Sequence, residues 1–192
     1  MIKTDFKPGT MIYPLPAVMV SCGESPEEYN IITIAWTGTI CSDPPMSYIS
    51  VRPGRHSHGI ISRTGEFVIN LTTEKLAKAT DWCGCRSGRK FNKWKEMNLT
   101  PASAKFVKAP IIEESPVNIE CRVKEIVELG SHHMFISEVL GVSIDDTYIN
   151  EKDAFSFSKA NPLVYSHGHY FGMGKKIGKF GWSVEKKRKR KK

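Results

Sequence analysis

Apolar residues in this chain come in short runs separated by Gly, Pro, Ser and Asp: 17–22, 31–36, 46–51, 67–71, 117–127 and 134–144. The runs are rich in Val, Ile and Phe, a pattern that predicts β-strands joined by tight turns. Val117, Ile119, Cys121 and Val123 alternate with polar neighbours, so that strand is expected to be half buried. The alternation breaks at Glu125-Ile126, where a bulge would restore it. Three segments read as helices. One covers 56–62 after the Pro53-Gly54 turn, and one covers 73–81 with Thr73 as a capping residue. The third covers 88–97, where Phe91 and Trp94 stand three apart and are expected to share a face. The pattern predicts a mainly antiparallel β protein with a few short helices. Closure into a barrel would hide its strand edges.

At 192 residues and 40% hydrophobic content, the chain suits one domain with a substantial core. No apolar run approaches the roughly 18 residues that a membrane span needs, and the first nine residues lack a signal-like apolar stretch. A cytoplasmic protein is expected. Five cysteines fit a reducing compartment, and Cys83-Gly-Cys85 reads as reduced thiols, with a redox pair or a metal clamp as alternatives. The net charge of +8 suggests nucleic acid until it is located. Seven of the positive charges are Lys186, Lys187, Arg188, Lys189, Arg190, Lys191 and Lys192, so the rest of the chain is near neutral. We therefore divide the chain into a domain over 1–182 and a basic, self-repelling tail over 183–192, which the fold does not need. A nucleic-acid partner is not expected.

Candidate chemistry concentrates at a cationic turn. Ser50-Val51-Arg52-Pro53-Gly54-Arg55-His56-Ser57 reads as a strand that ends where a helix opens. A helix N-terminus points free N–H groups at an anion, Arg52 can grip phosphate oxygens in pairs, and Ser57 can donate a hydroxyl. A solvated basic loop is the alternative. Lys93, in Ser87-Gly88-Arg89-Lys90-Phe91-Asn92-Lys93-Trp94, either reaches such a phosphate or is a helix-surface charge. Gly172, Gly174 and Gly178 have the wrong spacing for a dinucleotide fingerprint, and no strand–helix unit surrounds them. The histidine pairs at 56/58, 132/133 and 167/169 lack an evident third ligand, so no metal is expected.

Taken in order, these blocks resemble the FMN-binding split-barrel family of flavin reductase-like and flavoredoxin-like proteins. Asn30-Ile-Ile-Thr-Ile-Ala-Trp-Thr-Gly-Thr39 comes first, then Ser42-Asp-Pro-Pro-Met46, the Arg52–Ser57 turn and Gly65-Glu-Phe-Val-Ile-Asn-Leu71. The Ser87 segment, Leu129-Gly-Ser-His-His-Met-Phe-Ile-Ser-Glu-Val139 and Asn161-Pro-Leu-Val-Tyr165 with its trailing Tyr and glycines complete the match. The resemblance implies a six-stranded Greek-key split barrel and a homodimer with flavin at its interface. It also implies FMN as cofactor, with Thr33, Ala35, Trp36 and Thr37 beside the ring and Ser50, Val51, Arg52, Ser57, Ser87 and Lys93 completing the site. Trp36 reads equally well as a core residue. Asn92 stands where the family commonly has an acid. The function implied is an NAD(P)H-dependent flavin reductase with a small-molecule or protein acceptor. The alternative is a flavoredoxin-like carrier that keeps its FMN. No side chain is expected to act as a catalytic acid or base, because the flavin supplies the redox chemistry.

Overall fold

The computed structural model describes residues 1–185; the basic run 186–192 lies outside the described residues. Twelve strands and three α-helices follow one another along this part of the chain. The first six strands are β1 (Leu15–Pro16), β2 (Val18–Cys22), β3 (Asn30–Ile34), β4 (Thr37–Ser42), β5 (Pro45–Val51) and β6 (Glu66–Asn70). Helix α1 (His56–Thr64) lies between β5 and β6, and α2 (Ala77–Cys85) and α3 (Lys93–Glu96) follow β6. Two short strands, β7 (Pro101–Ala102) and β8 (Ile111–Ile112), precede the long hairpin of β9 (Val117–Glu128) and β10 (His133–Ile144). The final hairpin is β11 (Leu163–Ser166) and β12 (His169–Gly172).

Seven strands form the main antiparallel sheet in the order β3-β2-β6-β9-β10-β5-β4. It curls until Ser50 N–H donates to the Trp36 carbonyl at 2.9 Å, which brings the β3 end against β5. The fold is the mainly β split barrel expected from the sequence, with a few short helices on it. Inside it lie Val18, Val20, Ile32, Ile34, Ile49, Phe67 and Phe135, all buried. The outward residues of the same strands are buried too. Met19 and Ile31 pack under α2 and α3 with Leu76, Ala79, Cys83 and Trp94. This double burial explains why the 17–22 run is apolar without alternation.

The β9 segment departs from simple alternation for a related reason. Its polar residues Asn118 and Glu120 are buried as well. The Glu120 carboxylate accepts from the backbone N–H groups of Lys105, Phe106 and Val107. Asn118 donates to Asn70 Oδ1 at 2.8 Å. A loop across the outer face thus supplies the partners that make polar burial affordable. The bulge falls at Lys124, since Ile136 pairs with Glu125 and Ser137 with Val123, one residue before the predicted place.

Three predicted elements are corrected. The strand predicted over 31–36 ends at Ile34, because the chain bends at Ala35-Trp36 before β4 begins at Thr37. The helix predicted over 73–81 begins as a 3-10 turn over Glu74–Leu76 and runs on to Cys85. Thr73 is held extended by a bridge to Pro162 and caps nothing. The predicted 88–97 helix shrinks to Lys93–Glu96, because Asn92 accepts from Lys95 N–H and so starts a new helix. Phe91 and Trp94 therefore do not share a helical face: Phe91 packs on Trp82 and Trp94 on Tyr29. Among the described residues, no helix is long and apolar enough to cross a membrane.

Candidate functional site

A cleft of about 280 Å³ opens where β3, the end of β5, the end of α2 and the β11–β12 hairpin meet. Its floor is the bend after β3, with Thr33, Ala35 and Trp36, beside Ser50, Val51 and Arg52. Thr33 spends its hydroxyl proton on the Thr80 carbonyl in α2, so this side chain anchors the helix that walls the cleft. The helix can approach this closely because Gly84 faces Thr33, where a Cβ would sit 3.2 Å from the threonine Cβ. Trp36 packs at the rim against His132, ring centroids 4.4 Å apart and planes inclined by 46°. Burial, then the nearby Arg52 and Arg55, lower the His132 pKa and favour the neutral ring.

The far wall carries Tyr165 and Tyr170, directly opposed in the hairpin with ring centroids 5.6 Å apart. Burial and the adjacent Asp81 carboxylate push the Tyr170 phenol up to about 12, so it remains a hydrogen-bond donor. Cys85 lies on the same wall.

A second, smaller pocket of about 120 Å³ adjoins the cleft, and Ile32 and Arg55 line both. It sits at the start of α1, where Arg55 occupies the N-cap and no side chain caps the helix. First-turn N–H groups are therefore left for a ligand. Arg55 Nη1 donates to the Gly84 carbonyl at 3.2 Å and so ties this helix start to the end of α2. Ser57 is buried and accepts from Asn30 Nδ2 at 2.7 Å. Lys93 is 4% exposed, and its Nζ donates to the Ile31 and Cys83 carbonyls, each at 2.6 Å. Burial lowers its pKa to about 8, with Arg55 pushing the same way and Cys83 opposing. Arg86, Ser87 and Gly88 close the pocket. Among the described residues, no carboxylate lines it.

Nine of the ten sequence-predicted residues thus gather in two adjoining cavities. Thr33, Ala35, Trp36, Ser50, Val51 and Arg52 line the broad cleft, while Ser57, Ser87 and Lys93 line the inner pocket. Thr37 lines neither; it is buried and donates to the Tyr48 carbonyl at 2.6 Å. Arg52 is separated from Ser57, because the turn sends it toward the cleft and leaves Arg55 as the inner cation. Lys93 is neither of the expected alternatives alone: it is a buried tie between two backbone segments whose ammonium also faces the pocket. Sequence reasoning missed Arg55, His132, Asp81, Cys85, Tyr165 and Tyr170. The tyrosines had a legible signal: a two-residue His167-Gly168 turn, both at positive φ, registers Tyr165 against Tyr170.

Broad, partly apolar walls joined to a small cationic recess suit a flat aromatic ring that carries a phosphate. Gly88 sharpens the fit. A Cβ there would lie 2.1 Å from Asn30 Oδ1, so a side chain at 88 would displace an amide that lines the recess.

Comparison with known proteins agrees with this geometry. Residues 10–174 match the model of the flavin reductase like domain. An uncharacterised protein of Archaeoglobus fulgidus is 33% identical over 146 residues, covering 76% of this chain and 81% of that protein. The NADH-dependent flavin reductase StyB of Pseudomonas fluorescens is 25% identical, covering 71% of this chain and 76% of StyB. Among solved structures, flavoredoxin of Desulfovibrio vulgaris is 26% identical with a TM-score of 0.88, covering 96% of this chain and all of the other. Flavoredoxin from Methanosarcina acetivorans is 25% identical with a TM-score of 0.85 over the same shares.

Proposed function

The chain belongs to the flavin reductase-like family, and from that premise we propose that it is an FMN-dependent oxidoreductase reduced by NAD(P)H. The observation that carries the reading is the continuity of the two cavities through Ile32 and Arg55. Ring and phosphate of one FMN would occupy them together. Bound FMN supplies a hydride acceptor that can pass electrons on singly or in pairs. The bend at Ala35-Trp36 would offer backbone groups to the ring, and Trp36, with the His132 ring tilted against it, would stand at its edge. Arg55, Ser57, Lys93 and the start of α1 would bind the phosphate, with Ser87 at the mouth. Tyr170 and Asp81 hold polar groups at the open face, where reductant and acceptor must enter. No side chain is assigned a catalytic proton, since hydride transfer to the ring requires none from the protein.

The likeness to two flavoredoxins favours a second reading, a carrier that keeps FMN and exchanges electrons with a protein. One experiment decides between them. The purified protein is loaded with FMN and mixed with NADH or NADPH without oxygen, while bleaching near 450 nm is followed. Bleaching within seconds supports the reductase. Flavin that ignores both nicotinamides, yet is reduced by dithionite and reoxidised by a protein acceptor, supports the carrier. Failure to bind FMN at micromolar concentration would sink both.

We also propose a homodimer in a reducing, cytoplasmic setting. The five cysteines stand as free thiols. Phe171, Met173, Ile177, Phe180 and Trp182 on the C-terminal arm, with Met11 and Ile12 on the N-terminal one, present large apolar side chains to solvent. Such a concentration needs a covering surface. Light scattering at micromolar concentration is expected to give about twice the 21.6 kDa chain mass. A monomer that still retains FMN would refute an interfacial site.

A further inference from the structure

We propose that Arg52, Arg55 and Ser131 form a second anion subsite at the outer edge of the ring cleft, one that takes the pyrophosphate of a nicotinamide dinucleotide. The proposal rests on the flavin reading of the cleft and assigns the place where the reductant's charge is held.

The turn at 52–55 is closed by Arg55 N–H donating to the Arg52 carbonyl at 3.0 Å. Its outer face is an open shelf lined by Arg52, Pro53, Gly54, Arg55 and Ser131. Arg52 lines the shelf and the ring cleft but not the inner pocket; Arg55 lines all three. One phosphate in the inner recess would therefore leave Arg52 unused. Among the described residues, neither arginine has a carboxylate within 4.0 Å, because the ion pairs formed use Arg63, Lys108, Arg122, Lys124 and Lys179. Each guanidinium has a planar donor fork that matches phosphate oxygens, and Arg55 uses one of its N–H groups on the Gly84 carbonyl. Gly54 between them faces open space, so the backbone offers no steric barrier to a bulky anion.

The shelf is also connected to the chemistry. The field of Arg52 and Arg55 reaches the His132 ring, which packs at a tilt against Trp36 at the cleft rim. Ser131 precedes His132 and donates or accepts at its Nδ1, 2.9 Å away, so shelf and rim share one loop. A ligand with a flat nicotinamide over the ring cleft and its charge one ribose away would span rim and shelf. The pyrophosphate of a nicotinamide dinucleotide has that connection. FAD carries a pyrophosphate one ribityl chain from its own flat ring, and the test separates the two.

Arg52 is exposed at a strand end, so Arg52→Gln should leave the core intact. Inorganic pyrophosphate and NADP⁺ are titrated calorimetrically into the FMN-loaded wild type and variant. Both are expected to bind the variant about tenfold more weakly, the loss of one charged hydrogen-bonding group. Reduction of bound FMN is then compared between NADH and phosphate-free dihydronicotinamide riboside. In each case a hydride leaves nicotinamide C4 for flavin N5, and the oxidised nicotinamide departs. The rate-constant ratio, NADH over riboside, is expected to fall about tenfold, and Arg52→Lys is expected to recover part of it. Unchanged pyrophosphate binding, or equal losses for NADH and riboside, would overturn the subsite. A loss of FAD affinity with NADP⁺ binding unchanged would assign the shelf to a flavin and overturn the reductant assignment. If the protein held no flavin at all, the functional reading would fail, while the pyrophosphate titration would still decide the subsite.

Discussion

Lys93→Met is expected to weaken FMN binding at least tenfold, as measured by quenching of flavin fluorescence. The lysine is the buried cation of the inner pocket, and a charged hydrogen-bonding group of this kind contributes about 1.5–3 kcal/mol. Methionine fills the space but leaves the Ile31 and Cys83 carbonyls without the donor that joins them. Stability should therefore fall near pH 7, by an amount reduced by the cost of burying the charge. The pH dependence has a definite sign. The native Lys93 ammonium has its pKa lowered from 10.5 to about 8 by burial. Between those values the unfolded chain binds more protons than the native one, so this residue's contribution grows more favourable as pH rises from 8 toward 10.5. Buried thiols act oppositely. Burial raises Cys22 and Cys121 to about 12 and Cys83 to about 11 from 9.0, so their contribution is lost as pH rises above 9. Subtracting the variant's denaturation free energy from that of wild type at each pH cancels most of the thiol effect. The difference should increase between pH 8 and 9; a flat difference would show that the Lys93 pKa is not lowered.

Gly88→Ala is expected to cost FMN affinity tenfold or more while lowering stability by about 1–3 kcal/mol, the usual range for overpacking. The added methyl would fall 2.1 Å from Asn30 Oδ1. The amide must then swing away, and with it goes the bond that fixes the Ser57 hydroxyl. The recess loses its shape and one of its oriented hydroxyls together. A thermal melt and an FMN titration on the same sample separate the two effects. If affinity stays within twofold, the inner pocket does not hold the phosphate.

The main strands were legible because each is a short Val/Ile/Phe run between turn residues. The run 117–123 and the bulge that follows it show both the power and the limit of that signal. Alternation located the strand, but the burial of Asn118 and Glu120 depends on a loop whose amides arrive from residues 105–107. The helix at 88–97 misled because charged residues with two aromatics suit a helix, whereas Asn92 supplies a cap that starts the helix late. In the site, motif order brought out Thr33, Ala35, Trp36, Ser50, Val51, Arg52, Ser57, Ser87 and Lys93 as a group. It did not reveal that Thr33 anchors α2, or that Thr37 turns its hydroxyl to Tyr48.

By itself the sequence determined the family, the strand runs and the cationic turn, because these are local patterns of side-chain type and spacing. Only the tertiary structure decided which arginine serves which cavity. Arg52 and Arg55 are equivalent in a list of residues, yet Arg52 lines only the cleft and its outer shelf, whereas Arg55 lines both of these and the inner pocket and is tied to the Gly84 carbonyl. It also decided that Lys93 is a buried strut, because the two carbonyls it joins are 62 and 10 residues away along the chain. Such assignments follow from where distant backbone segments meet, and no local spacing contains that information.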